Sequence, residues 1–243
     1  MQRRTFLKKL FSTVVFLGSS AKGIFAEAIG KLESRKLYGM GIDIDKCIGC
    51  AKCVEACKIE NNVPEEPFFF RTWVEKYTIR KDGGVNVESI GNQTQGSSVE
   101  EGDKGILRSF FVPKLCNQCQ NPPCVQVCPV GATFSTEEGV VLVDENRCIG
   151  CRYCVQACPY GARYIHPEKL TADKCTFCYH RISKGLLPAC VEVCPTQARV
   201  FGDLNSVASP LTRFRRIGKI HVLKPYLNTE PKVLYSNMDG EVR

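Results

Sequence analysis

Sixteen cysteines, arranged as one phrase written four times, constrain this chain more than anything else in its 243 residues. The first group is Cys47, Cys50, Cys53 and Cys57, and the second is Cys116, Cys119, Cys124 and Cys128. The third is Cys148, Cys151, Cys154 and Cys158, and the fourth is Cys175, Cys178, Cys190 and Cys194. No cysteine lies outside a group, and each group opens with C-x2-C and closes with C-x3-C. The first and third carry the full C-x2-C-x2-C-x3-C run; the second widens the middle gap to four residues and the fourth to eleven. Pro129, Pro159 and Pro195 follow the last cysteine of the later groups, and Lys58 stands there in the first. A tight loop with a thiol at every third residue can wrap a compact object and reach it from three sides. The fourth thiol is set off by one more residue and can point elsewhere. We expect it at the start of a following helix, where proline is tolerated in the first turn.

Three chemistries could use such groups. Disulfides would suit an exported protein but do not require a fourfold phrase ending in proline. All-cysteine zinc sites need only paired C-x2-C units, and His166, His180 and His221 are too few to supply mixed Cys/His sites. Iron–sulfur clusters explain the count, the spacing and the prolines together. The run is the bacterial ferredoxin pattern, in which three thiolates hold one [4Fe-4S] cluster and the fourth holds its neighbour. Sixteen ligands then supply four [4Fe-4S] clusters.

The N-terminus, "MQRRTFLKKLFSTVVFLGSSAKGIFAEA", reads as an export signal over residues 1–28. Arg3 and Arg4 are followed by Phe6, Leu7 and Lys8, which resembles the twin-arginine signal; an apolar stretch runs from Leu10 to Leu17, and Ala26-Glu27-Ala28 offers a cleavage site. That stretch is shorter than the roughly 20 residues that span a bilayer. The twin-arginine route exports folded proteins, so thiols already holding a cluster would be protected from the oxidising periplasm. The expected location is therefore periplasmic, peripheral to the membrane through partners.

The expected fold is α+β: two bacterial-ferredoxin-like modules with a β-hairpin insertion and an irregular C-terminal tail. "LYGMGIDIDKCIGC" and "GVVLVDENRCIGC" each read as a strand entering a cluster loop, and "PVGATFS" and "PYGARYI" read as a turn and a strand after it. "RTWVEKYTIRKDGGVNVESI" alternates and turns at Asp82-Gly83-Gly84, a hairpin signal. The module of groups one and four takes residues 38–70 plus 170–204, and that of groups two and three takes residues 106–169. The hairpin and a polar loop take residues 71–105, and residues 205–243 form the tail. A net charge of +8, with no basic stripe interleaved with aromatics, does not point to nucleic acid. The densest basic run, Arg213 to Lys219, reads as a solvated face.

"CNQCQNPPCVQVCPVGATF", "CIGCRYCVQACPYGARYIHP", "TADKCTFCYHRISKGLLPACVEVCPTQARVFGD" and "LKPYLNTEPKVLY" resemble the iron–sulfur subunits of membrane-associated molybdopterin oxidoreductases. That family includes the electron-transfer subunits of tetrathionate, polysulfide, thiosulfate and dimethyl sulfoxide reductases and of formate-dependent nitrite reduction. The resemblance implies two partners, a molybdopterin (Mo/W) catalytic subunit and a polytopic membrane subunit that handles quinol, with this chain relaying electrons between them. It also implies how the groups pair, which spacing alone leaves open. Cys47, Cys50, Cys53 and Cys194 would hold one cluster, and Cys57, Cys175, Cys178 and Cys190 the second. Cys116, Cys119, Cys124 and Cys158 would hold the third, and Cys128, Cys148, Cys151 and Cys154 the fourth. A sulfur-compound reductase is the leading reading, and nitrite reduction is the alternative. The cysteines aside, the sequence shows no nucleophile–base pair, so a non-catalytic subunit is expected. A freestanding iron–sulfur enzyme would be favoured by a cluster short of one cysteine, and every group here supplies four.

Overall fold

The computed structural model describes residues 35–66, 68–90, 105–238, 240 and 242. The expected signal segment and most of the expected polar loop lie outside these residues. Residues 37–243 form a unit separate from residues 1–36, and this unit holds every cysteine.

Strand β1 (Tyr38–Asp43) leads into the first cysteine loop and helix α1 (Lys52–Asn61). Strands β2 (Thr72–Arg80), β3 (Val85–Ile90) and β4 (Ile106–Leu115) follow. Next come α2 (Pro123–Gln126), β5 (Thr133–Ser135), β6 (Val141–Val143), α3 (Tyr153–Gln156), β7 (Tyr164–Ile165) and β8 (Ala172–Asp173). The last stretch holds α4 (Tyr179–Ile182), α5 (Ala189–Glu192), β9 (Arg199–Asp203), α6 (Pro210–Ile217), β10 (Ile220–His221) and β11 (Val233–Ser236).

The fourth cysteines are not where the spacing suggested. In groups two, three and four the third cysteine sits inside a one-turn helix and the fourth falls just past its end, before proline. The cause is local: proline disfavours helical backbone in the residue before it, so the turn stops short of Cys128, Cys158 and Cys194. Lys58 removes that stop in group one. There α1 runs on through Cys57 to Asn61, and the Lys58 Nζ donates to the carbonyls of Pro64 and Glu65 at 3.1 and 3.2 Å.

Three strands in the order β3-β2-β4 form an antiparallel sheet. The β2–β3 turn passes through Gly83 at φ +86°, a left-handed backbone that glycine adopts without steric cost. Three strand pairs run across the expected boundaries: β4 pairs along β2, β8 pairs with β7, and β11 (Val233–Ser236) pairs with β1.

The irregular tail is a correction. A second sheet has the order β10-β11-β1-β9, with β11 parallel to β1 and β9 antiparallel to it on the other side. Met40, Ile42, Val233 and Tyr235 are fully buried there. The basic run from Arg213 belongs to α6, capped by the Ser209 Oγ, which accepts from the Leu211 backbone N–H at 3.3 Å. Leu211 is buried beneath the helix, while Arg213, Arg215 and Arg216 stay exposed. Gly41 makes room for α6: a Cβ there would lie 2.6 Å from the Phe214 ring. Strands β10 and β11 of the tail thus complete the sheet that carries the first cysteine loop. Nothing local announces this, because Val233–Ser236 is buried on both faces and does not alternate.

Candidate functional site

None of the sixteen cysteines is joined in a disulfide. The β1–β9 pairing, with Ile42 opposite Arg199, sets the loop that follows β1 beside the loop that precedes β9. As a result Cys47, Cys50, Cys53 and Cys194 line one open cavity of about 340 Å³, with Arg199 in its wall. A second cavity, of about 310 Å³, is lined by Cys116, Cys119, Cys124 and Cys158 together with Asn117 and Arg163. Cys57 interacts electrostatically with Cys175, Cys190 and Cys178. The Asn61 Nδ2 stands 3.5 Å from the Cys57 Sγ and 3.7 Å from the Cys178 Sγ. Of the remaining four, Cys154 and Cys148 pack with Val141 and Ala172. Cys128 accepts from the Thr133 backbone N–H at 3.5 Å, and Cys151 is exposed.

The electrostatics explain why these thiols need a partner. Burial pushes Cys57 well above the ordinary thiol range, and Cys175, Cys190 and Cys178 push it the same way. Burial also raises Cys190 to about 11 and Cys119 to about 12. At Cys128 and Cys194 burial works against ionisation, but hydrogen-bond donors outweigh it and the thiols are lowered; these come from backbone N–H groups and, at Cys194, first from Thr196. The raised thiols therefore stay protonated unless a cation compensates for their ionisation, which couples metal binding to proton release.

Buried cations stand among the sulfurs, and the sequence reading passed over them. Arg199 is 3% exposed; its Nη2 lies 3.4 Å from the Cys53 Sγ and donates to the Thr72 Oγ1 at 2.8 Å. Arg163 is 5% exposed; its Nη2 lies 3.0 Å from the Cys124 Sγ, and its Nη1 donates to the Thr133 Oγ1 at 3.3 Å. Lys174 is wholly buried, near Cys116, Cys175 and Cys124, and donates to the Val141 and Cys175 carbonyls. The Lys232 Nζ donates to the Cys119 carbonyl at 3.3 Å. Burial disfavours charge on all four; the neighbouring sulfurs outweigh it at Arg199 and Arg163, which are raised, whereas Lys174 and Lys232 are lowered. A signal for the arginines was present: each stands five residues past a fourth cysteine, in C-P-x-x-A-R.

A cube of iron and sulfide fits these surroundings. The Arg163 Nε and both amide atoms of Asn117, all at the second cavity, are buried without a hydrogen-bond partner in the protein. Each would cost roughly 1–3 kcal/mol if left so, and cluster sulfides and thiolates are acceptors for the N–H groups. The cysteines frame a volume, whereas a zinc site draws its sulfurs to about 2.3 Å from a single ion. Among the described residues, no three Cys, His, Asp or Glu side chains gather closely enough to hold one metal ion.

Two families, each described as a 4Fe-4S dicluster domain, match residues 107–204 and residues 46–132. A tetrathionate reductase subunit of Salmonella typhimurium is 43% identical over 98% of this chain and 88% of its own length. A second tetrathionate reductase subunit, from Archaeoglobus fulgidus, is 45% identical over 86% of each chain. The Protein NrfC of Escherichia coli is 36% identical over 94% of each. The chain belongs to this family of iron–sulfur reductase subunits. It is an electron-transfer subunit that binds [4Fe-4S] clusters and leaves substrate chemistry to another subunit. The cavities, the thiols and the buried cations follow from that role. Each cation stabilises added negative charge, and cluster potentials respond to net charge, hydrogen bonds to sulfur and burial.

Proposed function

We propose that the chain carries four [4Fe-4S] clusters in the crossed arrangement. Cys47, Cys50, Cys53 and Cys194 hold the first, and Cys57, Cys175, Cys178 and Cys190 the second. Cys116, Cys119, Cys124 and Cys158 hold the third, and Cys128, Cys148, Cys151 and Cys154 the fourth. Two cavities, each lined by three cysteines of one group and the fourth of another, carry this reading. The sites of Cys175 and Cys116 adjoin: Gln118, between Cys116 and Cys119, donates from its Nε2 to the Cys175 carbonyl at 2.7 Å. The four clusters thus form a path for one-electron hops through the protein. It relays electrons between a quinol-handling membrane subunit and a molybdopterin catalytic subunit. The similarity to two tetrathionate reductase subunits favours a sulfur compound as the substrate of that partner. The near full-length similarity to NrfC keeps nitrite reduction as the second reading. Anaerobic purification with the native partners tests both levels. About sixteen irons per chain are expected, along with a large subunit that reduces tetrathionate, thiosulfate or polysulfide. Half that iron content would end the four-cluster reading, and a co-purifying nitrite reductase would favour the second.

The compartment is part of the proposal. Arg3 and Arg4 direct export after the clusters are in place, and the mature chain works in the periplasm. Replacing both with lysine should leave a cluster-loaded protein in the cytoplasm and remove at least nine-tenths of the periplasmic pool, roughly what loss of a targeting signal implies. Immunoblots of the two fractions would decide it, and undiminished export would end the signal reading.

A further inference from the structure

Arg199 and Arg163 occupy equivalent places. Each follows C-P-x-x-A, each is almost wholly buried, and each donates to one threonine hydroxyl, that of Thr72 or Thr133. Each also lies against a sulfur of one cysteine set and interacts electrostatically with a sulfur of a second. The Arg199 Nη2 is 3.4 Å from the Cys53 Sγ, and its charge also acts on Cys190. The Arg163 Nη2 is 3.0 Å from the Cys124 Sγ, and Cys154 also acts on its charge. On the ligand map proposed above, on which this inference rests, Cys53 and Cys190 belong to the first and second clusters, and Cys124 and Cys154 to the third and fourth. Both arginines line the cysteine cavities.

We propose that each arginine is a shared positive charge between the two clusters of its module, raising both reduction potentials together. An arginine keeps its charge at every working pH, so the contribution is fixed. A cluster with four thiolates is anionic and gains one further negative charge on reduction. A guanidinium between two such clusters favours the reduced form of each and offsets the repulsion between them when both are reduced. N–H groups aimed at sulfur act in the same direction. The arginine acts on the clusters through their cysteine ligands and accepts no electron itself, so its role is positioning and tuning.

The test uses the anaerobically purified, cluster-loaded protein, with each centre titrated by electron paramagnetic resonance. Arg199→Gln should lower two potentials together, each by a tenfold change in the reduction equilibrium, which is about 59 mV for a one-electron step. The other two should stay, and Arg163→Gln should show the converse. Arg199→Lys and Arg163→Lys keep the charge and should restore most of each shift. A fully loaded glutamine variant in which no potential moves, or only one does, overturns the proposal. Should the glutamine variants lose iron, the lysine variants decide. Retained clusters with paired potentials near the original support a role for charge, and loss of iron there too overturns it. The ligand map is read separately. Cys57→Ser identifies the second cluster, and if that centre is not among the two moved by Arg199→Gln, the map fails while the paired shift still supports the shared charge.

Discussion

In a Cys57→Ser variant, the redox centre that disappears should be the one that disappears in Cys175→Ser. Cys57 sits inside α1, shares Asn61 with Cys178 and interacts electrostatically with Cys175, Cys190 and Cys178, although it belongs by sequence to the group of Cys47, Cys50 and Cys53. Serine offers a harder oxygen in place of a soft thiolate, which suits an iron–sulfur cluster poorly. The second cluster should therefore be lost, or converted to a three-iron form, while the centres of the second and third groups keep their spectra. Activity of the assembled complex should fall by about two orders of magnitude or more, because the broken link lies within the relay and losses of this size are typical even for residues that support a metal site indirectly. Anaerobic redox titration and iron analysis of the two variants, side by side, give the answer. If Cys57→Ser matched Cys116→Ser instead, the first group would be paired with the second and the crossed map would be abandoned.

Removing the iron should be as damaging as any substitution. Arg199 and Arg163 are 3% and 5% exposed, and the sulfurs beside them are their compensating charge. Breaking a buried charge pair by removing one partner costs roughly 3–5 kcal/mol. Two such losses approach the whole stability of an ordinary domain, about 5–15 kcal/mol. The stripped chain should consequently unfold at far lower urea than the loaded one. Its pH dependence should also have a definite sign. In the folded, iron-free chain burial raises Cys190 to about 11 and Cys119 to about 12, while the unfolded thiols ionise near about 8.5. Between those limits the unfolded state has released protons that the folded state still binds, so stability falls as pH rises, by about 1.4 kcal/mol per unit for each such thiol. Below the unfolded value this contribution is complete. The loaded protein should behave in the opposite way, because its thiolates are held by iron and acid competes for them. Urea midpoints for both forms from pH 6 to about 10 check this over the window set by the unfolded thiol. A stripped chain that gained stability above the unfolded thiol value would contradict the account.

The sequence by itself determined the donor set, the repeat of the loops and the chemistry they serve. Those properties depend on covalent spacing over at most twenty residues; that the prolines end each turn before Cys128, Cys158 and Cys194, instead of opening a helix with them, emerged only in the structure. The hairpin around Asp82-Gly83-Gly84 was legible for the same reason, since a two-residue alternation and a left-handed glycine are local signals. The consequence of Lys58 was legible only in part. Its departure from the pattern was visible, but the extra turn of α1 became apparent only with the carbonyls that its ammonium meets. The tertiary structure decided which groups become neighbours. Cys194 reaches Cys47 because β9 pairs with β1, and residues 233–236 enter the same sheet alongside β1 from nearly two hundred positions away. It also converted Arg199 and Arg163 from ordinary basic residues into buried charges against sulfur. Contacts of that kind depend on strand register and on what is excluded from water across distant parts of the chain. No window of sequence encodes either, because both arise only when the separate segments pack.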